Sequence, residues 1–301
     1  MITDSVATSP GTSLTWNLVQ DVWQLLDYEF MRNAFLAGGI VAIVAGAVGY
    51  FVVLRRLAFA AHALSHIGFA GATGAVLIAG NAAAVLGLLT FTGGAAAIMG
   101  ALGARIRERD VVIGIVLAWT LGLGVLFLSL YKGYATEAFA ILFGEVLGVS
   151  SLAVLVTLIA GVITLVALAC IYRPLLFTSL DEGVAEARGV PVRALGVLFM
   201  ILLALAVSEA VQVVGVLLIF SLLVTPAAIA ERVTTRPPRG ILIACALALL
   251  FTWLGLLIAW YVSAPPSFFI TTLAFVTYLG VRAGDALRRS RRPRAVLEVA
   301  A

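Results

Sequence analysis

The sequence predicts an all-α protein, a polytopic membrane bundle of about eight or nine transmembrane helices, and three observations support that prediction. First, the chain of 301 residues is 63% hydrophobic and 11% charged, with a mean hydropathy of +1.15. Second, its apolar residues form runs of about 20 residues, the length of a helix that crosses a bilayer. Third, its arginines are clustered between those runs. Soluble domains average about 25% charged residues, so the composition excludes a soluble enzyme, a disordered chain and a nucleic-acid-binding domain.

Residues 1–33 are predicted to form an N-terminal extracytoplasmic or interfacial segment. Its first part is polar and rich in serine and threonine, whereas residues 18–32 alternate apolar and acidic side chains. Trp16 and Trp23 suit the headgroup level of a membrane, which favours a short interfacial helix. This segment has no basic region followed by an apolar core, so we expect no cleavable signal peptide.

A transmembrane domain is predicted over residues 34–284. Nine apolar runs within it are candidate spans: 34–54, 57–79, 82–104, 111–131, 150–172, 194–210, 212–230, 240–262 and 267–284. Pro226 lies inside one of these runs, where a proline frees a backbone carbonyl and kinks the helix, either as a gating bend or as a tolerated irregularity. Residues 135–149 are too short to span and favour a half-helix or a re-entrant segment.

The arginines predict the orientation of these spans. Seventeen of the 19 basic residues fall in alternate connections, at the end of the last predicted span and in the tail at 285–301, and only Arg32 and Lys132 fall on the opposite side. The seventeen are Arg55, Arg56, Arg105, Arg107, Arg109, Arg173, Arg188, Arg193, Arg232, Arg236, Arg239, Arg282, Arg288, Arg289, Arg291, Arg292 and Arg294. Because cytoplasmic loops carry the excess of arginine, we expect a cytoplasmic C-terminus, an N-terminus outside and an odd number of spans.

The longest polar stretch on the arginine-rich side, residues 173–193, is predicted to contain a short helix. Its acidic residues come first and its basic residue comes last, followed by glycine and proline. Acidic groups favour the first turn of a helix, and glycine favours its end. The residues that define this pattern are Asp181, Glu182, Glu186, Ala187, Arg188 and Gly189.

His62 and His66, the two histidines of the chain, are the strongest candidates for a metal contact. They are four residues apart in an apolar run, so a helix places them on one face. A rise of 1.5 Å per residue from Arg56 places His66 about 15 Å into the membrane. Ionisable groups at that depth are costly, and two imidazoles at this spacing can bind one transition metal. The alternative is that both histidines form hydrogen bonds to neighbouring helices.

Glu145 and Glu209 are further candidates, because each carboxylate lies in apolar surroundings and offers oxygen ligands to a cation. For Glu145 the alternative is a half-helix end at the outer mouth, and for Glu209 it is an outer turn between spans.

Other motifs argue against an enzyme. The single lysine, Lys132, is followed by Gly-Tyr, so a phosphate-binding GxxxxGK[ST] loop is excluded and any ATP must be hydrolysed by another chain. The sequence contains no nucleophile elbow and no HExxH motif. Cys170 and Cys245 both lie in apolar runs without metal-ligand spacing, and we interpret them as core residues. We therefore expect no catalytic residue and no permanently bound cofactor.

Three separated segments resemble the permease subunits of bacterial ABC importers for zinc, manganese and iron, the ABC-3 type. GYFVVLRRLAFAAHALSHIGFAG at 49–71 is similar to the family's VVLRRLA…GDALSHA pattern, and AILFGEVLGVS at 140–150 resembles YLFGDILAVS. VQVVGVLLIFSLLVTPAAIAERVT at 211–234 resembles LQAVGVLLVIALLVIPAATA. The three matches occur in the family's order, and the resemblance extends from about residue 31 to residue 282.

The resemblance implies the ABC importer permease fold in the bacterial plasma membrane, within a homodimer around a central pathway. It also implies two separate ATPase subunits, which would dock at the coupling segment 178–193, and an extracytoplasmic protein that delivers a divalent metal ion. His62 and His66 take the pathway role, but His62 stands where the family usually has aspartate. Since imidazole suits Zn²⁺ better than Mn²⁺, this exchange favours zinc, with Mn²⁺ and Fe²⁺ as alternatives. An ABC permease for a metal chelate or a vitamin, and an ATP-independent secondary transporter, are alternative functions.

Overall fold

The computed structural model describes residues 27–80, 83–102, 109–130, 148–262 and 264–290. Nine helices occupy these ranges. They are α1 (Glu29–Leu54), α2 (Ala58–Ala79), α3 (Ala84–Leu102), α4 (Arg109–Leu130), α5 (Ser151–Leu180), α6 (Glu182–Ala187), α7 (Val192–Val233), α8 (Pro237–Val262) and α9 (Pro266–Ser290). Eight of the nine are long and apolar enough to cross a membrane, and the exception is α6. The predicted all-α membrane bundle is confirmed.

Helix α7 is not one straight rod, because it folds back on itself at Gly215. Gly215 has φ 80° and ψ 166°, outside the helical region. Phe199 lies before this break, and its ring is 6.2 Å from that of Phe51. Leu223 lies after the break, and its carbonyl oxygen lies so close to Gly49 that a Cβ there would overlap it. A straight helix would separate residues 199 and 223 by about 36 Å, yet both contact the same turn of α1. The two limbs of α7 therefore run side by side, as the predicted spans 194–210 and 212–230 require.

Capping interactions fix where several helices begin and end. The Ser150 hydroxyl accepts a hydrogen bond from the Ala153 amide at the start of α5. Prolines at the first positions of α8 and α9 need no helical N–H partner. The turn between α1 and α2 is a Schellman motif, in which the Leu57 amide donates to the Val52 carbonyl and the Arg56 amide donates to the Val53 carbonyl. This turn leaves α1 and α2 little freedom relative to each other.

The core of the bundle is formed by α1, α2 and α7, whereas α4, α5 and α9 expose apolar side chains. Phe51, Leu64 and Leu203 are fully buried, but Ile115 on α4 and Leu152 on α5 are 65% and 71% exposed. Exposed apolar faces of this kind are what a lipid environment covers. Small residues bring core helices together, as at Gly46, where a Cβ would clash with the backbone of Cys245 on α8.

The helix ends rich in arginine meet on one side of the bundle, which we call the arginine side. Arg55 at the end of α1 donates hydrogen bonds to Thr178 near the end of α5. Arg232 at the end of α7 lies 3.9 Å from the Asp285 carboxylate on α9. At the opposite side, Trp260 stacks at 5.5 Å from Tyr28. An aromatic cluster of this kind is typical of a membrane interface.

The structure refines three predicted boundaries. Helix α1 begins at Glu29, within the segment expected to precede the membrane domain, and α9 continues to Ser290, past the expected start of the tail. The reversal in α7 falls at Gly215 instead of residue 211, since glycine tolerates the positive φ that the turn requires. Most of the predicted interfacial helix at 18–32 and most of the predicted re-entrant segment at 135–149 lie outside the described residues.

Candidate functional site

The two histidines lie together on α2, as their spacing predicts. The imidazole centroids of His62 and His66 are 4.6 Å apart and their planes are inclined by 79°. Both side chains are half-buried. Nδ1 of His62 is buried and has no hydrogen-bond partner among the described residues. At this atom the structure therefore shows none of the hydrogen bonding to neighbouring helices that the predicted alternative requires.

The local structure holds the pair in place. The Schellman turn at Arg56 fixes the start of α2, and His62 follows within two helical turns. On α2 itself, the Ser65 hydroxyl donates to the carbonyl of His62 at 2.7 Å. Across the interface with the second limb of α7, the ring of Phe220 lies 5.0 Å from that of His62. The imidazole of His62 thus packs between its own helix α2 and the ring of Phe220 on α7.

Within the described part of the chain, the pair has no third ligand of the usual kinds. Among the residues that the structure describes, no three histidine, cysteine, aspartate or glutamate side chains form a group that could hold a metal ion. Two imidazole nitrogens fall short of the three or four protein ligands that zinc sites use. A complete site would need further ligands from water or from another chain.

Glu209 lies on the first limb of α7 and, among the described residues, does not join the histidine pair in a group that could hold a metal ion. Its side chain is 4% exposed, and neither carboxylate oxygen has a hydrogen-bond partner among the described residues. Oε1 faces Gly161 on α5, where a Cβ would lie 3.0 Å from it and 2.9 Å from Ile40 on α1. The glycine therefore leaves the room that this carboxyl group occupies. An expected position in an outer surface turn is not what the structure shows, because Glu209 is enclosed by α1 and α5.

Two other predicted site residues have different outcomes. Glu145 lies outside the described residues. Pro226 is buried inside the second limb of α7, which is helical around it, and the non-helical residue of α7 is Gly215. The irregularity that sequence reasoning assigned to the proline is therefore accompanied by a larger break eleven residues earlier. Gly215, near the start of the predicted run 212–230, was the available signal, since glycine tolerates the positive φ of a reversal.

A cavity of about 440 Å³ opens on the side opposite to the arginines. Gln212 and Val213, just before the break in α7, line it together with Thr157 on α5. Asn33 on α1 holds its rim, because its amide donates to the carbonyl of Val149 at 3.1 Å. The cavity therefore connects this face of the bundle with the polar side chains next to the α7 break.

The predicted short helix on the arginine side is confirmed as α6, Glu182–Ala187. Asp181 caps its start, with Oδ1 accepting a hydrogen bond from the Val184 amide at 2.9 Å. Gly189 ends it with φ 79°, and the Val190 amide donates to the carbonyl of Ala185. The charged residues of this helix and its caps are all exposed, namely Asp181, Glu182, Glu186 and Arg188. Both caps make α6 a defined surface despite its short length.

Comparison with known proteins relates the whole transmembrane region to one family. The family described as "ABC 3 transport family" matches residues 27–284. The manganese transport system membrane protein MntC of Halalkalibacterium halodurans is 34% identical over 218 residues, which cover 71% of this chain and 73% of that protein. The manganese import system permease protein ScaB of Streptococcus gordonii is 34% identical over 245 residues, covering 81% and 87%.

Two solved structures have a similar fold. The first is PsaBC from Streptococcus pneumoniae in complex with Fab, with a TM-score of 0.77 and 30% identity over 88% of this chain and 95% of that one. The second is an inward-facing conformation of a putative metal-chelate type ABC transporter, with a TM-score of 0.72 over 92% and 93% of the two chains. Its identity of 16% indicates a shared fold alone.

Proposed function

This chain belongs to the ABC 3 transport family and is a metal ABC importer permease. On that basis we propose that it forms the translocation pathway for a divalent transition metal ion, with Zn²⁺ favoured. The observation that carries this proposal is the pair His62 and His66 on one face of α2, 4.6 Å apart. Intramembrane ionisable residues are costly to keep, and imidazole is a common ligand of transition metals.

The ligand chemistry supports zinc as the cargo. Imidazole nitrogen suits Zn²⁺, whereas carboxylate and water oxygens suit Mn²⁺. The MntC and ScaB relatives are named for manganese, and the family resemblance has aspartate where this chain has His62. A second copy of the chain across a two-fold axis would add two more histidines and complete a four-nitrogen set. We therefore propose a homodimer with the pathway at its axis, in which each ion makes transient contact with the histidines of both copies.

The two sides of the bundle suit different partners. The arginine side is proposed to be cytoplasmic, since the positive-inside rule places arginine-rich connections there. Helix α6 on this side presents a capped, charged surface that two ATPase subunits would engage. The opposite side, with its 440 Å³ cavity, would receive the ion from an extracytoplasmic metal-binding protein. Binding of ATP by the partner chains would then move α6 and change the side of the membrane on which the pathway opens.

Metal uptake into vesicles that contain the purified importer tests this proposal. The permease, the ATPase that copurifies with it and the binding protein are assembled, and Zn²⁺, Mn²⁺ and Fe²⁺ compete for uptake with and without ATP. We expect ATP-dependent uptake with Zn²⁺ preferred, and loss of that uptake in the double variant His62→Ala/His66→Ala. His62→Asp, which restores the residue type usual in the resemblance, should shift the preference toward Mn²⁺.

A matched control separates loss of ligands from loss of packing. Thr73→Ala changes another residue of α2 whose hydroxyl bonds only to carbonyls of its own helix in the described structure, and it should retain uptake. Normal uptake in the double histidine variant would place the pathway elsewhere. Absence of ATP-dependent uptake of any ion by the assembled wild-type complex would contradict the importer proposal and favour a metal chelate as cargo.

A further inference from the structure

Arg55 joins three helices at the arginine side. It is the C-cap residue of α1, and Nη1 donates hydrogen bonds to Thr178 Oγ1 at 3.0 Å and to Ser179 Oγ at 3.2 Å on α5. The centre of the guanidinium group lies 5.8 Å from the ring centroid of Phe199 on α7. One side chain therefore contacts the ends of α1 and α5 and the first limb of α7.

The two hydroxyl groups are oriented to accept these hydrogen bonds. The hydroxyls of Thr178 and Ser179 both donate to the carbonyl of Leu175, one turn earlier in α5. Their oxygen lone pairs are thereby directed toward the guanidinium group. Thr178 is fully buried, and Arg55 and Ser179 are partly buried. A charge-assisted hydrogen bond to a buried hydroxyl is stronger than one between two exposed groups.

The position of this contact in the chain is more informative than its strength. Asp181, the N-cap of α6, follows Ser179 after one residue, so the contact lies at the base of the proposed coupling helix. On the other side, α2 begins three residues after Arg55 and reaches His62 in its second turn. The Schellman turn between them is closed by two backbone hydrogen bonds, so we expect α1 and α2 to move together at this end. A shift of the α5 end would therefore reach the helix that bears the histidines.

The surroundings leave space for such a shift. A cavity of about 520 Å³ lies against the contact, lined by Arg55 and Arg56 on one side and by Thr178, Ser179 and Glu182 on the other. Close-packed elements transmit strain but have no room to rearrange. Here the corner between α5 and α6 is held to α1 by hydrogen bonds and borders open space, which suits an element with two arrangements.

We propose that Arg55 is a positioning residue that couples movement of α6 to α2, the helix of His62 and His66. This inference rests on the proposed function, because it requires an ATPase that moves α6. Arg55 acts through Thr178 and Ser179 and does not contact the transported ion. Its removal should uncouple ATP hydrolysis from transport while the pathway and the fold remain intact.

The test is the number of metal ions taken up per ATP hydrolysed by the complete importer in vesicles, with Zn²⁺ as the transported ion. In Arg55→Lys the charge stays but the planar donor group is lost. We expect uptake per ATP to fall about tenfold, with ATP hydrolysis and the midpoint of thermal unfolding near the wild-type values. Arg56→Lys is the matched control, since Arg56 is the adjacent residue, is exposed and should keep full coupling.

The acceptors provide a second, independent variant. Thr178→Val/Ser179→Ala removes both hydroxyls without changing any charge, and it should lower uptake per ATP to the same extent. Combining it with Arg55→Lys should add little, because all three changes remove one interaction. If Arg55→Lys fails to assemble, the hydroxyl variant carries the test.

Several outcomes would overturn the inference. Wild-type uptake per ATP in the hydroxyl variant or in Arg55→Lys would show that the contact does not couple the helices. Equal losses in Arg55→Lys and Arg56→Lys would assign the effect to the loop as a whole. Additive losses in the combined variant would mean that Arg55 acts through other partners. A wild-type importer without ATP-dependent uptake would instead remove the proposed function, and this inference with it.

Discussion

At the scale of single residues, the charge state of the buried Glu209 carboxyl group can be argued from its surroundings. Its carboxyl group is 4% exposed and lacks hydrogen-bond partners among the described residues, facing Gly161 and Ile40. An ionised carboxylate without partners in such a place would cost several kcal/mol, so we expect the neutral acid. Sequence reasoning selected this residue as a possible metal contact, and its enclosure sets it apart from the histidine pair.

The variant Glu209→Gln tests the charge state directly. Glutamine has the same shape without the possibility of ionisation, so we expect an unfolding free energy within about 1 kcal/mol of the wild type. Glu209→Ala should be less stable by about 1–3 kcal/mol, because it leaves a cavity. Thermal unfolding in detergent measures both. A large loss of stability in Glu209→Gln would contradict the neutral state, and loss of metal uptake in this variant would support Glu209 as a metal contact.

Arg56 combines strain with charge. It has φ 56°, a left-handed conformation that non-glycine residues adopt at a cost of about 1 kcal/mol. Arg56→Gly should therefore be more stable than Arg56→Ala by up to about 1 kcal/mol, since both lose the charge but only glycine relieves the strain. Thermal unfolding of the two variants provides the comparison. Equal stability would mean that the turn does not require the left-handed conformation.

At the scale of elements, the broken helix α7 determines how the core is built. Its two limbs both pack on α1, through Phe199 and Leu223. The break interrupts the helical conformation at Gly215, which is buried in protein, where irregular backbone is tolerated in a membrane bundle. Gln212 and Val213, which precede the break, line the 440 Å³ cavity. The reversal therefore brings both limbs of α7 to the core and places the residues just before the break at this cavity.

Gly215→Ala tests the reversal. At φ 80° a Cβ is strained, so we expect a loss of about 1–2 kcal/mol in unfolding free energy. Gly196→Ala is the control in the same helix, because Gly196 is helical and a Cβ there would meet nothing within 4 Å. That control should be neutral or stabilising by up to about 1 kcal/mol. Similar stability of the two variants would argue against the observed conformation of Gly215.

The short helix α6 depends on its caps, since six residues form too few hydrogen bonds to be stable alone. Asp181→Ala removes the side-chain acceptor of the Val184 amide and should weaken the helix by about 1 kcal/mol, whereas Asp181→Asn should preserve it. Amide hydrogen exchange over residues 182–190 measures the effect. Unchanged exchange in Asp181→Ala would show that contacts with the rest of the chain, and not the cap, hold α6.

At the scale of the whole molecule, the spans and the histidine pair were predictable from sequence, and the long-range contacts were not. Hydropathy identifies the membrane helices because each must be a run of about 20 mostly apolar residues, which can be read from the sequence of that segment alone. The spacing of His62 and His66 places them on one face of any helix, whatever surrounds it. By contrast, Arg55 looks like one more residue of the positive-inside pattern, since Thr178 lies 123 residues away. Enclosure of Glu209 by α1 and α5 likewise depends on packing that no local pattern encodes.

The orientation of the whole bundle is the last prediction that follows from the arginine distribution. Contacts such as Arg55 with Thr178 and Arg232 with Asp285 gather arginine-bearing helix ends on one side, which the positive-inside rule assigns to the cytoplasm. Thr235, exposed on that side, and Ala79, exposed at the opposite end of α2, suit cysteine labelling.

In a background with serine at positions 170 and 245, Ala79→Cys should react with a membrane-impermeant maleimide in intact cells. Thr235→Cys should react only after the membrane is opened. The reverse pattern would invert the bundle and would move α6 away from any cytoplasmic ATPase. It would then contradict the coupling route through Arg55 as well as the orientation, because both depend on the same side facing the cytoplasm.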